Sequence, residues 1–309
     1  MAESVSAVPR RLSEIAEELG LSQSTVSRAL SGKGRVSEDT RKRVMQYIQA
    51  SGYRPNSIAK GLAQKKTFNL CALLPEDALS SQMPFFHECL MGIGSAAVKH
   101  DYDVIITTVS ETNCEQLKRV ISADKADGYI IMRAVSDDQA MALLKNLGLP
   151  FVLIGSCDED DVVFVDTDNA ASSEKLTLSV IDEGSHRPAL LLGNTRYAVN
   201  RSRAKGFYQA LEKRGLPSPA VYDGLGTVEE ISSALSTAIA AGVDAVVCGD
   251  DYICGLVLKE LRGTGAKIPV AALYGSNMLS LIGTVKMAEF ADARELGAQA
   301  AEKLLTIID

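Results

Sequence analysis

The sequence predicts a small all-α helix-turn-helix domain followed by a larger α/β body. Residues 12–30 read LSEIAEELGLSQSTVSRAL, which is two short amphipathic helical patterns joined at a glycine. Positive charge is concentrated in the first 66 residues. From residue 68 onward, apolar runs of strand length alternate with helical patterns, which is typical of a parallel sheet with crossover helices.

The distribution of charge separates the two parts. Residues 1–66 carry 12 Lys and Arg against 6 Asp and Glu, whereas the remainder carries 20 against 33. A basic domain can face DNA phosphates and an acidic one cannot, so the charge predicts a nucleic-acid module attached to a body with another role. With 309 residues and 46% hydrophobic content, the chain is long enough for two or three domains.

Turn and capping signals define the helix-turn-helix. Gly20 permits a sharp turn, and Ser22 can cap the second helix. Apolar residues at helical spacing face inward on both helices: Leu12, Ile15, Ala16, Leu19, Val26, Ala29 and Leu30. A third helix follows, capped by Ser37, with Val44 and Tyr47 on its apolar stripe. Three helices of this size can close a small core.

Polar side chains are left on the outer face of the second helix: Gln23, Ser24, Ser27 and Arg28. Gln and Ser can bond base edges or phosphates, and Arg can bond guanine O6 and N7 together. For this segment alone, the alternative is a solvated face on a helical hairpin. The basic surroundings favour a helix that enters a DNA major groove.

The segment YRPNSIAKGLAQKKT joins the basic domain to the body. Pro55 disfavours helix at Arg54, Asn56 can cap, and residues 57–64 can form two helical turns. A helix this short is unstable alone, and Gly61 weakens it further. The segment therefore has the properties of a hinge that becomes helical only with a partner such as DNA. The alternative is a plain tether.

Seven apolar runs in the body have the length of buried parallel strands. They are FNLCALL, DVIITTV, GYIIM, FVLIG, PALLLGN, DAVVCGD and IPVAALY. The runs form two sets that change over near residues 166–169, which indicates two lobes. Ligands of open α/β sheets bind beyond the carboxyl ends of the strands. Candidate ligand contacts at such ends are Phe85, Phe86, Arg133 and Asp250.

No arrangement of residues in the sequence predicts an enzyme or a bound cofactor. The segment Gly92–Ala97 matches G-x-G-x-x-A, but it follows a helical pattern rather than a strand, so we expect close helix packing there. The three histidines form no triad or metal pattern. The six cysteines lack paired metal spacing and are expected to be reduced core thiols, with a redox or metal role as the alternative.

The order of motifs resembles the LacI/GalR (lactose-repressor) family of bacterial transcription regulators. ELGLSQSTVSRAL, GRVSEDTRKRV and GYRPNSIAKGL carry the resemblance at the N-terminus. It continues through PFFHECLMGI, DGYIIM, NRSRAKGFYQAL and RELGAQAAEKLL, so it covers nearly the whole chain. The fold it implies is an N-terminal all-α helix-turn-helix domain plus an α/β two-lobed periplasmic-binding-protein-like domain.

The resemblance implies domain boundaries. The helix-turn-helix domain spans residues 10–54 and the hinge spans residues 55–66. The effector-binding and dimerisation domain spans residues 67–309. Its first lobe takes about residues 67–165 plus 291–309, and its second lobe takes about residues 166–290.

The resemblance also implies roles for the DNA-binding residues. Gln23 and Ser24 stand at the main specificity positions, and Arg28 stands at another base-contacting position. Thr25 and Ser27 correspond to phosphate contacts. In the hinge, Leu62 corresponds to a leucine that family members wedge into the minor groove. Three further hinge residues correspond to positions along that groove: Asn56, Ser57 and Ala59, of which Ser57 departs from the usual small apolar residue.

The implied effector site includes one match and two departures. Arg203 matches the family's effector-contacting arginine. Tyr274 stands where sugar-binding members typically carry an aspartate, and Gly249 stands where they carry an asparagine before Asp250. The effector is therefore left open among a sugar, a sugar phosphate and another acidic or aromatic metabolite. The alternative is a regulator that has lost its response to small molecules.

Such proteins bind a pseudo-palindromic double-stranded DNA operator as homodimers. A dimer is favoured over a tetramer because the sequence reaches Asp309 without a heptad extension. Without a signal segment or an apolar span, the expected location is the cytoplasm, in association with the nucleoid rather than with a membrane. The sequence leaves open the target genes and whether the effector induces or co-represses. The runner-up function is a solute-binding protein of the same architecture.

Overall fold

The computed structural model describes residues 12–31, 34–51, 61, 64–76, 84–133, 135, 138–157, 159–217, 220–274, 279, 285–288 and 292–309. The chain divides into two compact units, residues 1–67 and residues 68–309. The first is helical and the second contains two parallel sheets, in agreement with the predicted fold class. The hinge contacts predicted for Asn56, Ser57, Ala59 and Leu62 lie outside the described residues.

Three helices form the described part of the first unit: α1 (Leu12–Leu19), α2 (Gln23–Ser31) and α3 (Glu38–Ser51). Gly20 has a φ of 66°, and the N–H of Leu21 donates to the carbonyl oxygen of Ala16 at 2.8 Å. This left-handed residue ends α1 and turns the chain toward α2. The core that results is small, with Ile15, Val26 and Val44 completely buried.

The helix starts follow the predicted capping residues. The Oγ of Ser22 accepts a hydrogen bond from the N–H of Thr25 at 3.2 Å, at the first turn of α2. The Oγ of Ser37 accepts one from the N–H of Thr40 at 3.3 Å, at the first turn of α3. Each cap gives a first-turn N–H an acceptor from the residue that precedes the helix.

The first parallel sheet of the second unit has the strand order β2-β1-β3-β4-β5. Its strands are β1 (Asn69–Pro75), β2 (Asp103–Val109), β3 (Gly128–Ile131), β4 (Phe151–Ile154) and β5 (Phe164–Val165). Four helices cover it: α4 (Pro84–Ala97), α5 (Glu115–Ser122), α6 (Gln139–Asn146) and α11 (Ala293–Ile308). We call this sheet with its helices lobe 1.

The second parallel sheet has the strand order β10-β9-β8-β6-β7. Its strands are β6 (Pro188–Leu191), β7 (Ala220–Tyr222), β8 (Ala245–Cys248), β9 (Val270–Ala272) and β10 (Lys286–Met287). The helices that pack with it are α7 (Asn169–Asp182), α8 (Ala198–Arg214), α9 (Val228–Ala240) and α10 (Asp251–Thr264). We call this sheet with its helices lobe 2.

The seven apolar runs all contain strands, but three further strands were not predicted from the sequence. These are β5, β7 and β10, which have two or three residues each and lie at sheet edges. An edge strand this short is only partly buried, so it leaves no continuous apolar run in the sequence.

Among the described helices, each lobe has a pair in backbone contact. In lobe 1, a Cβ on Gly92 of α4 would lie 1.9 Å from the carbonyl oxygen of Arg294 on α11. In lobe 2, a Cβ on Gly206 of α8 would lie 2.0 Å from the carbonyl oxygen of Ala170 on α7. No side chain fits at either position. The close packing predicted at Gly92 is therefore confirmed.

The described residues include no helix that combines the length and the apolar composition needed to cross a membrane.

Candidate functional site

Hydroxyl groups cluster at the N-terminus of α2. The Oγ of Ser22 lies 2.9 Å from the Oγ of Ser24 and 2.8 Å from the Oγ1 of Thr25. Ser22 and Ser24 are exposed, and Thr25 is half-buried. Exposed donors at the positive end of a helix dipole suit a phosphate oxygen.

The polar residues that were predicted on the outer face of α2 are found there. Gln23, Ser24, Ser27 and Arg28 are exposed, whereas Val26 and Ala29 point into the core. Two contacts fix α3 against the end of α1: Tyr47 donates to the carboxylate of Glu18, and the Nη2 of Arg43 donates to the carbonyl oxygen of Leu19 at 3.4 Å. The exposed face of α2 is thus held on a packed three-helix frame.

A second group of polar and aromatic residues lies in the larger unit, beyond the carboxyl ends of the strands of both sheets. Tyr274 of lobe 2 packs edge-on against Phe85 of lobe 1, with ring centroids 5.4 Å apart. Phe85 packs in the same way on Phe86, and the guanidinium of Arg133 lies 5.8 Å from the Phe86 ring. The same guanidinium lies 4.0 Å from the ring of Tyr197 in lobe 2. We call these five residues the aromatic–arginine stack.

The stack runs from lobe 2 through lobe 1 and back to lobe 2. Two further contacts, one between backbones and one between charged side chains, also join the lobes. Val135, two residues beyond Arg133, forms an antiparallel bridge with Tyr197. Arg196 forms an ion pair with Glu111, which lies two residues beyond β2. The two lobes therefore meet at aromatic, backbone and ionic contacts, and we call this junction the cleft between the lobes.

Arg203 is the buried cation of this region. Arg203 lies in α8 and is 9% exposed. The charges of Asp250 and Asp166 are close enough to influence its pKa. Burial is the largest influence and lowers the pKa of Arg203, while the charges of both aspartates and of Tyr274 act in the opposite direction. An arginine stays protonated even so, and it needs anionic or hydroxyl partners in a buried setting.

Asp250 serves as the N-cap of α10. Its carboxylate accepts a hydrogen bond from the N–H of Ile253 at 2.9 Å. Burial raises the pKa of Asp250, although that bond and the charge of Arg203 lower it.

Asp166 has a similar position after β5, where it accepts from Thr167 N–H at 2.8 Å and from the Asn169 amide at 3.0 Å. Burial also raises the pKa of Asp166.

The structure gives a physical reason for glycine before Asp250. A Cβ on Gly249 would lie 2.7 Å from the Cδ2 of Leu192 and 3.4 Å from the carbonyl oxygen of Leu191. Leu192 is completely buried in the lobe 2 core, so its side chain has little room to move. A side chain at position 249 would therefore require the buried Leu192 side chain to move.

Tyr274 stands at the second position where the sequence departs from the family pattern, and its ring contacts lobe 1. Besides its contact with Phe85, its phenol has Asp251 of lobe 2 and Cys89, Glu88 and Asp292 of lobe 1 as electrostatic neighbours. Burial raises the pKa of Tyr274, so the hydroxyl stays neutral and can donate a hydrogen bond.

All six residues predicted for the effector site lie in this region, although Phe86 is 7% exposed and contributes to the lobe 1 core. Two residues of the region were not singled out from the sequence. Tyr197 follows β6 and Asp166 follows β5, so both obey the strand-end rule. What the sequence could not show is that the two lobes bring them to one cleft.

Two cavities lie on lobe 2, away from this junction. One, of about 440 Å³, lies between α7 and α8, and the other, of about 180 Å³, lies near Asp244 and Lys286. Three ion pairs involve charged side chains of their walls: Arg214 with Asp182, Lys213 with Glu174, and Lys286 with Glu183. Neither cavity is lined by an aromatic side chain.

Metal and thiol chemistry has little support in the described part of the chain. No group of three or more His, Cys, Asp or Glu side chains there is arranged to hold a metal ion. All six cysteines are free; Cys157 is half-buried and the other five are buried. Burial raises the pKa of Cys71 and of Cys89 to about 12, which keeps both thiols protonated and unreactive.

Comparison with known proteins gives two family matches. Residues 67–308 match the family described as periplasmic binding proteins and sugar binding domain of the LacI family. Residues 11–56 match the family described as bacterial regulatory proteins, lacI family.

Curated relatives are HTH-type transcriptional regulators. AglR of Rhizobium meliloti (strain 1021) is 34% identical over 212 residues, which cover 68% of this chain and 60% of AglR. MalR of Streptococcus pneumoniae (strain ATCC BAA-334 / TIGR4) is 26% identical over 311 residues, which cover 98% of this chain and 94% of MalR. The match thus spans less than two thirds of AglR but nearly all of MalR.

Solved structures with the same fold include two ligand complexes. The transcriptional regulator CelR–cellobiose complex has a TM-score of 0.70 and 25% identity, covering 97% of this chain and 93% of that one. The lac repressor dimer bound to operator and the anti-inducer ONPF has a TM-score of 0.76 and 21% identity, with coverage of 97% and 93%.

Proposed function

The chain belongs to the LacI family of bacterial regulatory proteins, and we propose that it is an operator-binding repressor controlled by a small-molecule effector. It is a transcriptional regulator with a DNA-binding helix-turn-helix domain and a domain of the sugar-binding type, and its relatives are regulators rather than enzymes. The proposed operator is pseudo-palindromic and is bound by a homodimer. The observation that carries effector control is the aromatic–arginine stack beside buried Arg203.

The proposed DNA contacts follow from the exposed face of α2. Gln23 and Ser24 choose base pairs near the start of the helix, and Arg28 reads a guanine through O6 and N7. Thr25 and Ser27 bond phosphates and fix the register of the helix in the groove. Asn56, Ser57, Ala59 and Leu62 are proposed to complete the interface in the minor groove.

We predict that Arg28→Ala weakens operator binding by about 5- to 150-fold, because a bidentate contact to guanine contributes roughly 1–3 kcal/mol of discrimination. The operator is first selected with the parent protein from randomised double-stranded DNA, and affinity is then measured by gel shift at fixed salt. Arg28→Lys is the matched variant, since it keeps the charge and loses the second hydrogen bond. Full binding by both variants would contradict the placement of Arg28.

The cleft suits a polar ligand with an apolar face. Pockets of this kind combine aromatic walls with a few well-placed polar groups, and here Arg203, Asp250 and the Tyr274 hydroxyl are the polar groups. Phe85 and Tyr197 are only half-buried, so part of each ring is open to a ligand. The proposed effector is therefore a saccharide or a sugar phosphate, consistent with the cellobiose named in the CelR complex.

Effector binding is proposed to change the contacts between the lobes. The stack, the Val135–Tyr197 bridge and the Arg196–Glu111 ion pair each join one lobe to the other. A ligand that binds one arrangement of the lobes more tightly shifts the population toward that arrangement. If the arrangements differ in operator affinity, ligand and operator are coupled by the same free energy.

We predict that a compound from a panel of mono- and disaccharides and sugar phosphates raises the melting temperature. At 100 times the Kd, a ligand stabilises the folded state by about 2.7 kcal/mol, which is roughly 5–10 °C for a domain of this size. Tyr197→Leu is expected to remove most of that shift because it breaks the stack.

Tyr208→Leu is the matched control for this measurement. Tyr208 lies on α8 but is 48% exposed and outside the stack, so the ligand-induced shift should persist. An equal shift in both variants would place the ligand elsewhere. A panel that leaves the melting temperature unchanged would favour a regulator that has lost its effector response.

A further inference from the structure

The chain crosses from lobe 1 to lobe 2 at residues 166–168, between the end of β5 and the start of α7. The carboxylate of Asp166 lies at this crossover and accepts hydrogen bonds from the Thr167 N–H at 2.8 Å and from the Asn169 side-chain amide at 3.0 Å. It also accepts from the hydroxyl and the N–H of Ser156, which lies two residues beyond β4. One carboxylate therefore joins a loop of lobe 1 to the first residue of a lobe 2 helix.

Further hydrogen bonds fix the bend of the crossover. The N–H of Asn169 donates to the carbonyl oxygen of Thr167 at 2.7 Å, and its side-chain amide donates to the same oxygen at 3.1 Å. Asn169 is only 4% exposed, so water offers little replacement for these partners. A carboxylate has acceptor sites for all the donors around Asp166, whereas an amide has one acceptor oxygen and adds donors of its own. Asparagine at position 166 would therefore keep the size of the side chain but leave some of these donors without an acceptor.

Helix α7 continues this connection to the arginine of the cleft. The Oγ of Ser173, one turn beyond Asn169, donates to the carbonyl oxygen of Arg203 at 2.6 Å. Ser173 is completely buried, and α7 packs along α8, on which Arg203 lies. The charge of Asp166 also acts on Arg203 directly. The loop after β4, the crossover and Arg203 are thus linked by consecutive contacts.

We propose that Asp166 is a positioning residue that fixes the bend between the lobes and ties that bend to the position of Arg203. This role rests on the proposed function for the contact of Arg203 with an effector, whereas the hydrogen bonds at the crossover are independent of that contact. A ligand that shifts Arg203 also shifts α7 and the Asn169 amide, because the two helices are packed together. Since Asp166 holds both that amide and Ser156, such a shift changes the angle between the lobes.

The test follows amide hydrogen exchange by mass spectrometry in the full-length parent and in Asp166→Asn, both without ligand. The N–H groups of Ser156 and Thr167 should exchange about 10- to 150-fold faster in the variant, the factor that loss of a hydrogen bond to a charged group supplies. Peptides that contain Val135 and Tyr197, which pair across the lobes, should exchange about threefold faster or more. Exchange in β1 and β8 should match the parent. Faster exchange confined to the crossover would make Asp166 a local cap and overturn the positioning role.

Asp168→Asn is the matched control, the same replacement two residues along the crossover. The Oδ1 of Asp168 accepts from the Ala171 N–H at 2.8 Å as the N-cap of α7, and asparagine caps helices about as well. The peptides that contain Val135 and Tyr197 should therefore exchange as in the parent. If they accelerate as much as in Asp166→Asn, the loss of a negative charge near the crossover is the cause and the proposal fails.

Ser156→Ala removes the lobe 1 hydroxyl and leaves the crossover residues unchanged. It should accelerate exchange at Val135 and Tyr197 less than Asp166→Asn does, because the Ser156 N–H still donates. Added to Asp166→Asn, it should change that exchange by less than about twofold, and full additivity would contradict a connection through Asp166. If Asp166→Asn does not fold, Ser156→Ala decides the question alone, and parent-like exchange at both residues then counts against the proposal.

A second measurement separates positioning from effector binding. Operator affinity is measured with and without each mono- or disaccharide or sugar phosphate that raises the melting temperature of the parent. Such a compound should change the affinity of the parent by about 5- to 150-fold and that of Asp166→Asn by less than about twofold, while raising the melting temperature of the variant by at least about half as much. Parent-like coupling in the variant, or loss of both responses, would refute the positioning role. If no compound acts on the parent, the proposed effector control fails, and hydrogen exchange alone decides whether Asp166 fixes the lobes.

Discussion

Replacing Gly92 by alanine is expected to destabilise the larger unit by about 3 kcal/mol, near the upper end of the usual cost of overpacking. The added Cβ would lie 1.9 Å from the carbonyl oxygen of Arg294, and 2.9 Å from the backbone nitrogen of Ala298. Backbone atoms cannot rotate away as a flexible side chain can, so α4 and α11 must move apart. Their separation would open the apolar core between them, which includes Ile93 and Ala300.

Gly94→Ala is the matched control, two residues along the same helix. A Cβ on Gly94 would meet no atom within 4 Å. Alanine there should stabilise the helix by up to about 1 kcal/mol, because glycine is a poor helix former. Urea unfolding of both variants measures the difference. If Gly92→Ala and Gly94→Ala shift the midpoint in the same direction, the close contact between α4 and α11 is wrong.

Replacing Arg203 by methionine is expected to cost about 3–5 kcal/mol at neutral pH, because it leaves the buried carboxylates near it without their cation. Asp250 and Asp166 both contribute to the electrostatic environment of Arg203. The loss should also abolish the ligand-induced rise in melting temperature, since Arg203 is proposed to hold the effector. Arg214→Met is the matched control: Arg214 lies on the same helix and forms an exposed ion pair with Asp182. Exposed pairs contribute only about 0–1 kcal/mol.

The effect of Arg203→Met should depend on pH. The charge of Arg203 lowers the pKa of Asp250, so its removal raises that pKa further above the unfolded value. A carboxyl group with a raised folded-state pKa binds a proton more tightly when folded, so its protonation favours the folded state. The deficit in unfolding free energy should therefore be largest near pH 7 and should shrink as the pH falls through the folded pKa. A deficit that does not vary between pH 7 and pH 4 would argue against an uncompensated Asp250.

Local patterns were sufficient to predict the helical unit and the long strands. The turn at Gly20, the caps at Ser22 and Ser37, and the apolar runs of β1, β6 and β8 each depend on neighbouring residues alone. The short edge strands could not be predicted in this way. Phe164 and Met287 are exposed even though their backbones pair with a neighbouring strand, so no burial pattern marks them.

The residues of the cleft were predictable only where a local signal marks them. Phe85, Arg133, Arg203 and Asp250 were indicated by strand ends or by resemblance, and the structure brings them to one region. Tyr197 was not, because its role depends on a contact with Arg133, which belongs to the other lobe and lies about 60 residues earlier in the chain. For Gly249, the sequence showed a departure from the family pattern without a reason for it. The packing of Leu192 against this position is the physical reason that the structure adds.

Helix α11 follows the whole of lobe 2 in the chain, yet it packs in lobe 1 against α4, β3 and β4. During synthesis on the ribosome, the strands of lobe 1 emerge first and wait for Ala300, Leu304 and Leu305, which complete their core. Lobe 2 is continuous from α7 to β10 and needs no later segment for its sheet. The core of lobe 1 can therefore be completed only after the whole of lobe 2 has been synthesised.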